Sequence, residues 1–295
     1  MNDNYRTLRV NIGGHGVVTV AIDAPPMNLV GPELVRDLVA LLGELESDPS
    51  TRVMVLESAD PEYFVPHVDL TQVAQYTAEA AKAGGPQDAS LGMLWRKLSE
   101  LPMVTIAKLR GRARGAGSEL ALACDMRFAA RENAVLCQPE VAFGAPPGAG
   151  GIQHLARLIG RGRAMEAILG AADFGADEAE RYGWINRALP DAQLDAFVAD
   201  LAHRIASFPD DAVRATKHQL NALTLPATDA VRADAKRFQR LVASDVARAR
   251  TATLFAHGLQ TRSELELNLG NRIAAVAGQA NEPGLEKPTA DVEFR

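Results

Sequence analysis

The stretch from Val104 to Cys124 constrains the fold of this chain more than any other. An apolar run, Val104 to Leu109, reads as a strand. It enters a glycine-rich turn, Gly111 to Gly117, and then Leu120 to Cys124, which reads as helix. Strand, turn and helix in that order are the unit of an α/β core, and the alternation continues on both sides. Upstream, Leu8 to Ile12 and Val17 to Ile22 read as a hairpin across Gly13 to Gly16. Pro32 to Leu45 has helical apolar spacing, and Arg52 to Leu56 reads as a buried strand. Gln72 to Ala89 is polar and rich in Gly and Ala, a helix or a loop, and a helix follows to about Glu100. Met126 to Ala129 and Ala134 to Cys137 are short strand candidates, and Pro147-Gly148-Ala149-Gly150-Gly151 opens a further helix. From about Asp191 the pattern is helical, over Leu194 to Phe208, Asp210 to Leu223, Asp229 to Arg250 and Ser263 to Ala277. No internal repeat is visible. The expected organisation is a sheet-containing core over 1–205, a helical region over 206–278 and a flexible tail over 279–295.

A chain of 295 residues, 47% hydrophobic and 23% charged, has the composition of an ordinary globular protein. A formal charge of -6 disfavours nucleic acid and anionic membrane as partners. No run approaches the ~20 apolar residues needed to cross a bilayer, and the N-terminus has no apolar signal core. Two cysteines, Cys124 and Cys137, make no disulfide framework and read as small core residues, so a cytoplasmic location is expected. The six histidines form no close ligand pair, and no metal is expected. His154 reads as structural.

The chemistry concentrates at Gly115 to Glu119. At a helix start the backbone N–H groups are unpaired and the dipole favours negative charge, and the small residues there let a ligand approach. Glu119 lies three residues after Ala116 and shares its face. A lone acid in a first turn is more often decoration than catalyst. Beside a free amide, however, a carboxylate suits enolate chemistry: the amide holds the oxyanion and the carboxylate moves the proton. Leu120 stands where a dinucleotide turn needs its third glycine, and Ser118 is not in a Gly-x-Ser-x-Gly elbow, so neither alternative is supported.

The surroundings of Glu119 resemble a family. Gly111 to Asp125, then Gln138-Pro139-Glu140, then Gly144 to Gly151, resemble the enoyl-CoA hydratase/isomerase (crotonase) superfamily. The match continues through Leu155 to Gly160, Ala164 to Glu166, Ala176 to Ala179 and Gly183 to Arg187; upstream, Pro25 to Asn28 resembles its Asn-containing turn. The resemblance implies an α/β fold, a crotonase-like ββα spiral core with a helical C-terminal region, assembled as a homotrimer or dimer of trimers. It implies an enzyme that reversibly hydrates a 2-enoyl thioester, as in fatty acid metabolism. Glu119 and Glu140 would be the acid/base pair and the backbone N–H groups of Val68 and Ala116 the oxyanion hole. His67, Gly148, Asn28 and Pro66 are candidate substrate-binding residues. No separate cofactor is implied, coenzyme A being part of the substrate. The alternatives are another enolate reaction (isomerisation, decarboxylation or thioester hydrolysis) and a non-catalytic binding protein, which has no chemical reason to keep both carboxylates.

Three departures from the family pattern set further expectations. The family commonly reads Ala-Gly-Ala-Asp-Leu where this chain has Pro66-His67-Val68-Asp69-Leu70. Pro66 removes an N–H and stiffens the approach, and His67 replaces a glycine, either in an equivalent strained loop or as an added donor or proton-transfer group. Lys108, Arg110, Arg112 and Arg114 form a basic stripe that reads as a solvated or interface feature or as a phosphate contact. The late aromatic and basic pair that helps relatives bind the coenzyme is not reproduced, leaving Phe255 and Arg272 as candidates.

Overall fold

Ten strands and their connections place the site, and the computed structural model describes them within residues 5–278. The expected tail over 279–295 lies outside the described residues. The strands are β1 (Leu8–Ile12), β2 (Val17–Ile22), β3 (Val53–Ser58), β4 (Tyr63–Val65), β5 (Val104–Leu109), β6 (Arg112–Arg114), β7 (Met126–Ala130), β8 (Val135–Cys137), β9 (Phe174–Gly175) and β10 (Arg187–Leu189). A six-stranded sheet has the order β1-β2-β3-β5-β7-β10 and a four-stranded one the order β4-β6-β8-β9. Only the β1–β2 and β8–β9 pairings are antiparallel.

Each chain segment β3–β4, β5–β6 and β7–β8 spends its first strand in the large sheet and its second in the small one before a helix follows. This ββα step is therefore taken three times over. The repeat escapes the sequence because it is one of topology: the small-sheet strands are only three residues long and differ completely in side chains. Leu56, Phe64, Leu109 and Leu120 pack between the layers, and Leu194, Val198 and Ala202 of the helix Asp191–Ala206 cover the outer face of the large sheet against Val53, Val55 and Ile106. Each such fully buried side chain stabilises by about 1.5–3 kcal/mol.

Close packing explains the glycines of the central turn. A Cβ on Gly117 would stand 2.0 Å from the Val65 carbonyl oxygen, so only glycine lets this helix lie against β4. Gly115 has φ +50° and ψ −124°, a conformation that L side chains rarely adopt, and it turns the chain from β6 into the helix Ala116–Ala123.

The C-terminal expectations are refined by two breaks. Asp229 to Arg250 is two helices, Thr228–Val242 and Asp245–Ala256, because Ser244 ends one and caps the next by accepting from Ala247 N. Ser263 to Ala277 is likewise divided, into Glu264–Leu267 with Ser263 as its cap, and Leu269–Gly278. The uncertain Gln72 to Ala89 stretch holds a helix, Val73–Gly84. Phe143, Leu254, Leu265, Leu269 and Ile273 make a separate apolar cluster that fastens the last helices to the core.

Candidate active site

Three neighbouring parallel strands of the small sheet end at one place, and each delivers part of the site. After β4 the chain gives His67 and Val68; after β6, Gly115, Ala116 and Glu119; after β8, Pro139 and Glu140. Ligand sites form at the carboxyl ends of parallel strands because loops diverge there and helix N-termini point inward. All seven residues line one cavity of about 70 Å³. Its remaining wall is mostly apolar: Tyr76 and Leu91 on one side, and Phe238 and Val242 of the helix Thr228–Val242 on the other.

Neither the Val68 nor the Ala116 amide donates a hydrogen bond among the described residues. Ala116 is the first residue of its helix, where the ladder leaves N–H groups free. The Val68 peptide is held by its neighbours: the His67 carbonyl accepts from Val30 N at 3.0 Å, and Asp69 N donates to Val30 O at 3.1 Å. Two unbonded amides among the residues lining one cavity are a donor set suited to an oxyanion.

Glu119 is 2% exposed, and one of its oxygens, Oε1, accepts from Ala149 N at 2.8 Å and Gly151 N at 2.9 Å. The glycine-rich block from Pro147 to Gly151 thus orients the carboxylate. Burial pushes Glu119 up from 4.5 to about 7, against the two amides, with the charge of Asp234 adding to the rise. Glu140 starts the short helix Glu140–Phe143 and rises well above the usual carboxylate range, first through burial and then through the charge of Glu119. With its nitrogen turned toward the carboxylate, the Gln138 amide donates to both Glu140 oxygens at 3.2 Å. Two buried carboxyls on one cavity, each held above the usual carboxylate range, can retain a proton between them near neutral pH.

The other sequence-selected residues divide. His67 and Gly148 line the cavity; Gly148 stands where a Cβ would meet the Phe238 side chain at 2.4 Å. Asn28 and Pro66 are buried behind it. Asn28 is left-handed at φ 60°; its Oδ1 accepts from Ala24 N and its Nδ2 donates to Ser58 Oγ and to the Tyr63 and Phe64 carbonyls, so it braces β4 rather than meeting a substrate. His67 is not among the left-handed residues, so the anticipated strain is not there. Nor is its ring free for proton transfer: Nδ1 lies 2.8 Å from the Val68 carbonyl and Nε2 3.0 Å from Glu266 Oε1.

The basic stripe is consumed within the protein. Lys108 and Arg110 pair with Asp195, Arg110 also with Asp191, and Arg112 donates to the Leu267 carbonyl. Arg114, fully buried, forks onto Asp173 and donates to the Glu266 and Leu267 carbonyls. Cys124 and Cys137 are free and buried, and His154 is held low, to about 4, by burial. No cluster of metal-ligating groups occurs among the described residues. Glu266 and Gln260 were not singled out by sequence. In Glu264-Leu-Glu-Leu-Asn the acid reads as a solvated helix face, and no local signal reveals a partner 199 residues away.

These features have counterparts in known proteins. Residues 13–261 match the family model of enoyl-CoA hydratase/isomerase, and the chain belongs to that family as an enoyl-CoA hydratase-like enzyme. Among its relatives, the short-chain-enoyl-CoA hydratase of Clostridium acetobutylicum is 34% identical over 208 residues, 70% of this chain and 77% of that one. The crotonyl-CoA hydratase of Syntrophomonas wolfei is 33% identical over 66% of this chain and 74% of its own. A Streptomyces avermitilis crystal structure, provisionally described as an enoyl-CoA hydratase, superposes with a TM-score of 0.91 at 62% identity, covering 92% of this chain and 98% of that one.

Proposed function

We propose that this enzyme reversibly hydrates a short 2-enoyl-CoA, with Glu119 and Glu140 as its acid/base pair and the Val68 and Ala116 amides as its oxyanion hole. The observation that carries this reading is the convergence of two free amides and two buried, mutually coupled carboxyls on one small cavity. In the forward direction the water oxygen bonds to the β-carbon and one proton of the water passes to the carboxylate. The α-carbon is left as an enolate whose oxygen faces the two amides, and a proton from the carboxyl pair then closes it to the 3-hydroxyacyl thioester. The roles of the two acids are left shared, because a coupled pair exchanges its proton.

The small apolar cavity supports a short acyl chain, and the names of the Clostridium and Syntrophomonas relatives agree with this. Coenzyme A is the carrier proposed, as part of the substrate and with no separate cofactor. Among the described residues no helix is long and apolar enough to cross a membrane. A homotrimer, or a dimer of trimers, is the assembly proposed; a broad groove holding the exposed apolar residues Leu158, Phe208 and Leu220 supports it. The test is loss of the enoyl-thioester ultraviolet absorbance when the protein meets crotonyl-CoA, with Glu140→Gln alongside. Turnover by the native protein that disappears in the variant supports the reading, and no turnover by the native protein rejects it.

A further inference from the structure

Behind His67, one of the residues lining the cavity, lies a buried polar cluster for which the hydration steps above have no use. His67 is 5% exposed and Glu266 is fully buried, in a part of the chain far removed in sequence. The ring Nδ1 faces the Val68 carbonyl, which can only accept, so Nδ1 carries a hydrogen. Nε2 faces both Glu266 oxygens, at 3.0 and 3.2 Å. Glu266 Oε2 also accepts from Gln260 N at 2.9 Å, and Gln260 Nε2 donates to the same Val68 carbonyl at 3.0 Å. The Val68 carbonyl therefore receives two donors, and both are anchored to one carboxylate.

We infer that Glu266, His67 and Gln260 form a charged clamp, an imidazolium–carboxylate pair with a bridging amide, that positions the Val68 N–H for the enolate oxygen. The two peptide units flanking Val68 are fixed from opposite sides: the His67 carbonyl by Val30 N, and the Val68 carbonyl by His67 and Gln260. Val68 can then keep its N–H turned toward the cavity without using that N–H in any bond. The charges around His67 are consistent with the ion pair. Glu266 faces it from the helix Glu264–Leu267 and Arg114 from β6, while Glu140 lies beyond Gly115 on the cavity side. Glu266 raises His67 above 6.5 against the opposing effects of burial and Arg114, and Glu266 itself is lowered by His67 despite its burial. The clamp also accounts for the departure at His67. Where relatives have a glycine, this chain spans the space between the oxyanion loop and its C-terminal region with a ring that has two donors.

The oxyanion role of Val68 rests on the proposed hydratase reading, so the test has one arm that needs no turnover. In the full-length protein, NMR follows the His67 ring and the Val68 amide in the native form, in Glu266→Gln and in Gln260→Asn. The Asn variant keeps a residue that tolerates the left-handed φ of 62° at this position but falls short of the Val68 carbonyl. The native His67 is expected to stay protonated above pH 6.5. Glu266→Gln should move its titration downward, because burial and Arg114 then act without the opposing carboxylate, and the Val68 amide resonance should move in both variants. In the second arm, with crotonyl-CoA, both variants lower kcat, Glu266→Gln by roughly 10- to 100-fold and Gln260→Asn by less, while KM changes by no more than about twofold. Glu266→Asp, which keeps the charge, restores part of the loss. If the native protein does not turn over crotonyl-CoA, the hydratase reading fails and the resonances still decide the clamp. An ordinary titration of His67 in the native protein overturns it. So does a Val68 amide unmoved in both variants, or a variant loss that falls on KM alone. If Glu266→Gln does not fold, Gln260→Asn decides by the same readouts.

Discussion

In the proposed mechanism Glu119 serves activity and opposes stability at the same pH. Its folded-state value, about 7, lies above the 4.5 of an exposed glutamate. The folded protein therefore binds more protons than the unfolded chain between those values. Its contribution to stability is fully present below pH 4.5 and is lost as pH rises through about 7. Glu119→Gln keeps an oxygen to accept from Ala149 and Gly151 but has no charge to bury. We predict that it raises the unfolding free energy of the free protein by about 1–3 kcal/mol above pH 7, read by urea denaturation, with the gain vanishing near pH 4.5. Catalysis has the opposite dependence. Below about pH 7 both carboxyls carry protons and no base remains, so kcat/KM for crotonyl-CoA should fall on the acid side. Glu119→Gln and Glu140→Gln should each lower kcat by at least ~100-fold, measured with folding verified by circular dichroism.

The elements of the core were legible in the sequence where local chemistry determined them. Val104–Leu109, the turn at Gly115 and the helix from Ala116 follow from apolar runs and glycine positions alone, and Glu119 and Ala116, three residues apart, line one cavity. The parts that were not legible depend on long-range contacts. Arg112 and Arg114 read as part of a solvated or interface stripe or a phosphate contact until Asp173 and the last helices surround them. Asn28 is a candidate by sequence because Pro25 to Asn28 resembles the family's Asn-containing turn, but its amide is spent on β4. The helix Thr228–Val242 gave only an amphipathic pattern, with no indication that Phe238 and Val242 would line the cavity, where they are proposed to close its acyl end. That placement leads to a prediction at this scale. Phe238→Ala removes the ring that packs over Gly148 and should raise kcat/KM for octenoyl-CoA relative to crotonyl-CoA by roughly 10-fold or more, since each methylene admitted to an apolar pocket carries a factor of that order. An unchanged ratio would place the end of the acyl site elsewhere.

At the scale of the whole molecule, the polar surface is interrupted along one side. Leu220 is 56% exposed and Leu223 82%, both on the helix Asp210–Thr224, and Leu220 lines one groove with the exposed Phe208 and Leu158. This helix has a single buried residue, Lys217, whose ammonium donates to the Met103 carbonyl and pairs with Asp125 at 2.8 Å. The helix is also held by the Arg52–Asp210 pair, by Asn221 donating to the Ser99 carbonyl and by Val213 against the core, yet it leaves its leucines exposed, and monomers rarely leave large apolar patches uncovered. A second copy of the chain is the occupant proposed, because closed symmetric assemblies bury identical patches on every subunit. The carboxylates and both amides of the site come from one chain, so assembly and chemistry are separable in principle. Leu220→Glu combined with Leu223→Glu should therefore break the proposed trimer, or dimer of trimers, to monomer in light scattering, with Lys217 and the cavity untouched. If the variant stays trimeric, the subunits meet through another face. If it becomes monomeric and retains turnover of crotonyl-CoA, the trimer supports the fold without completing the site.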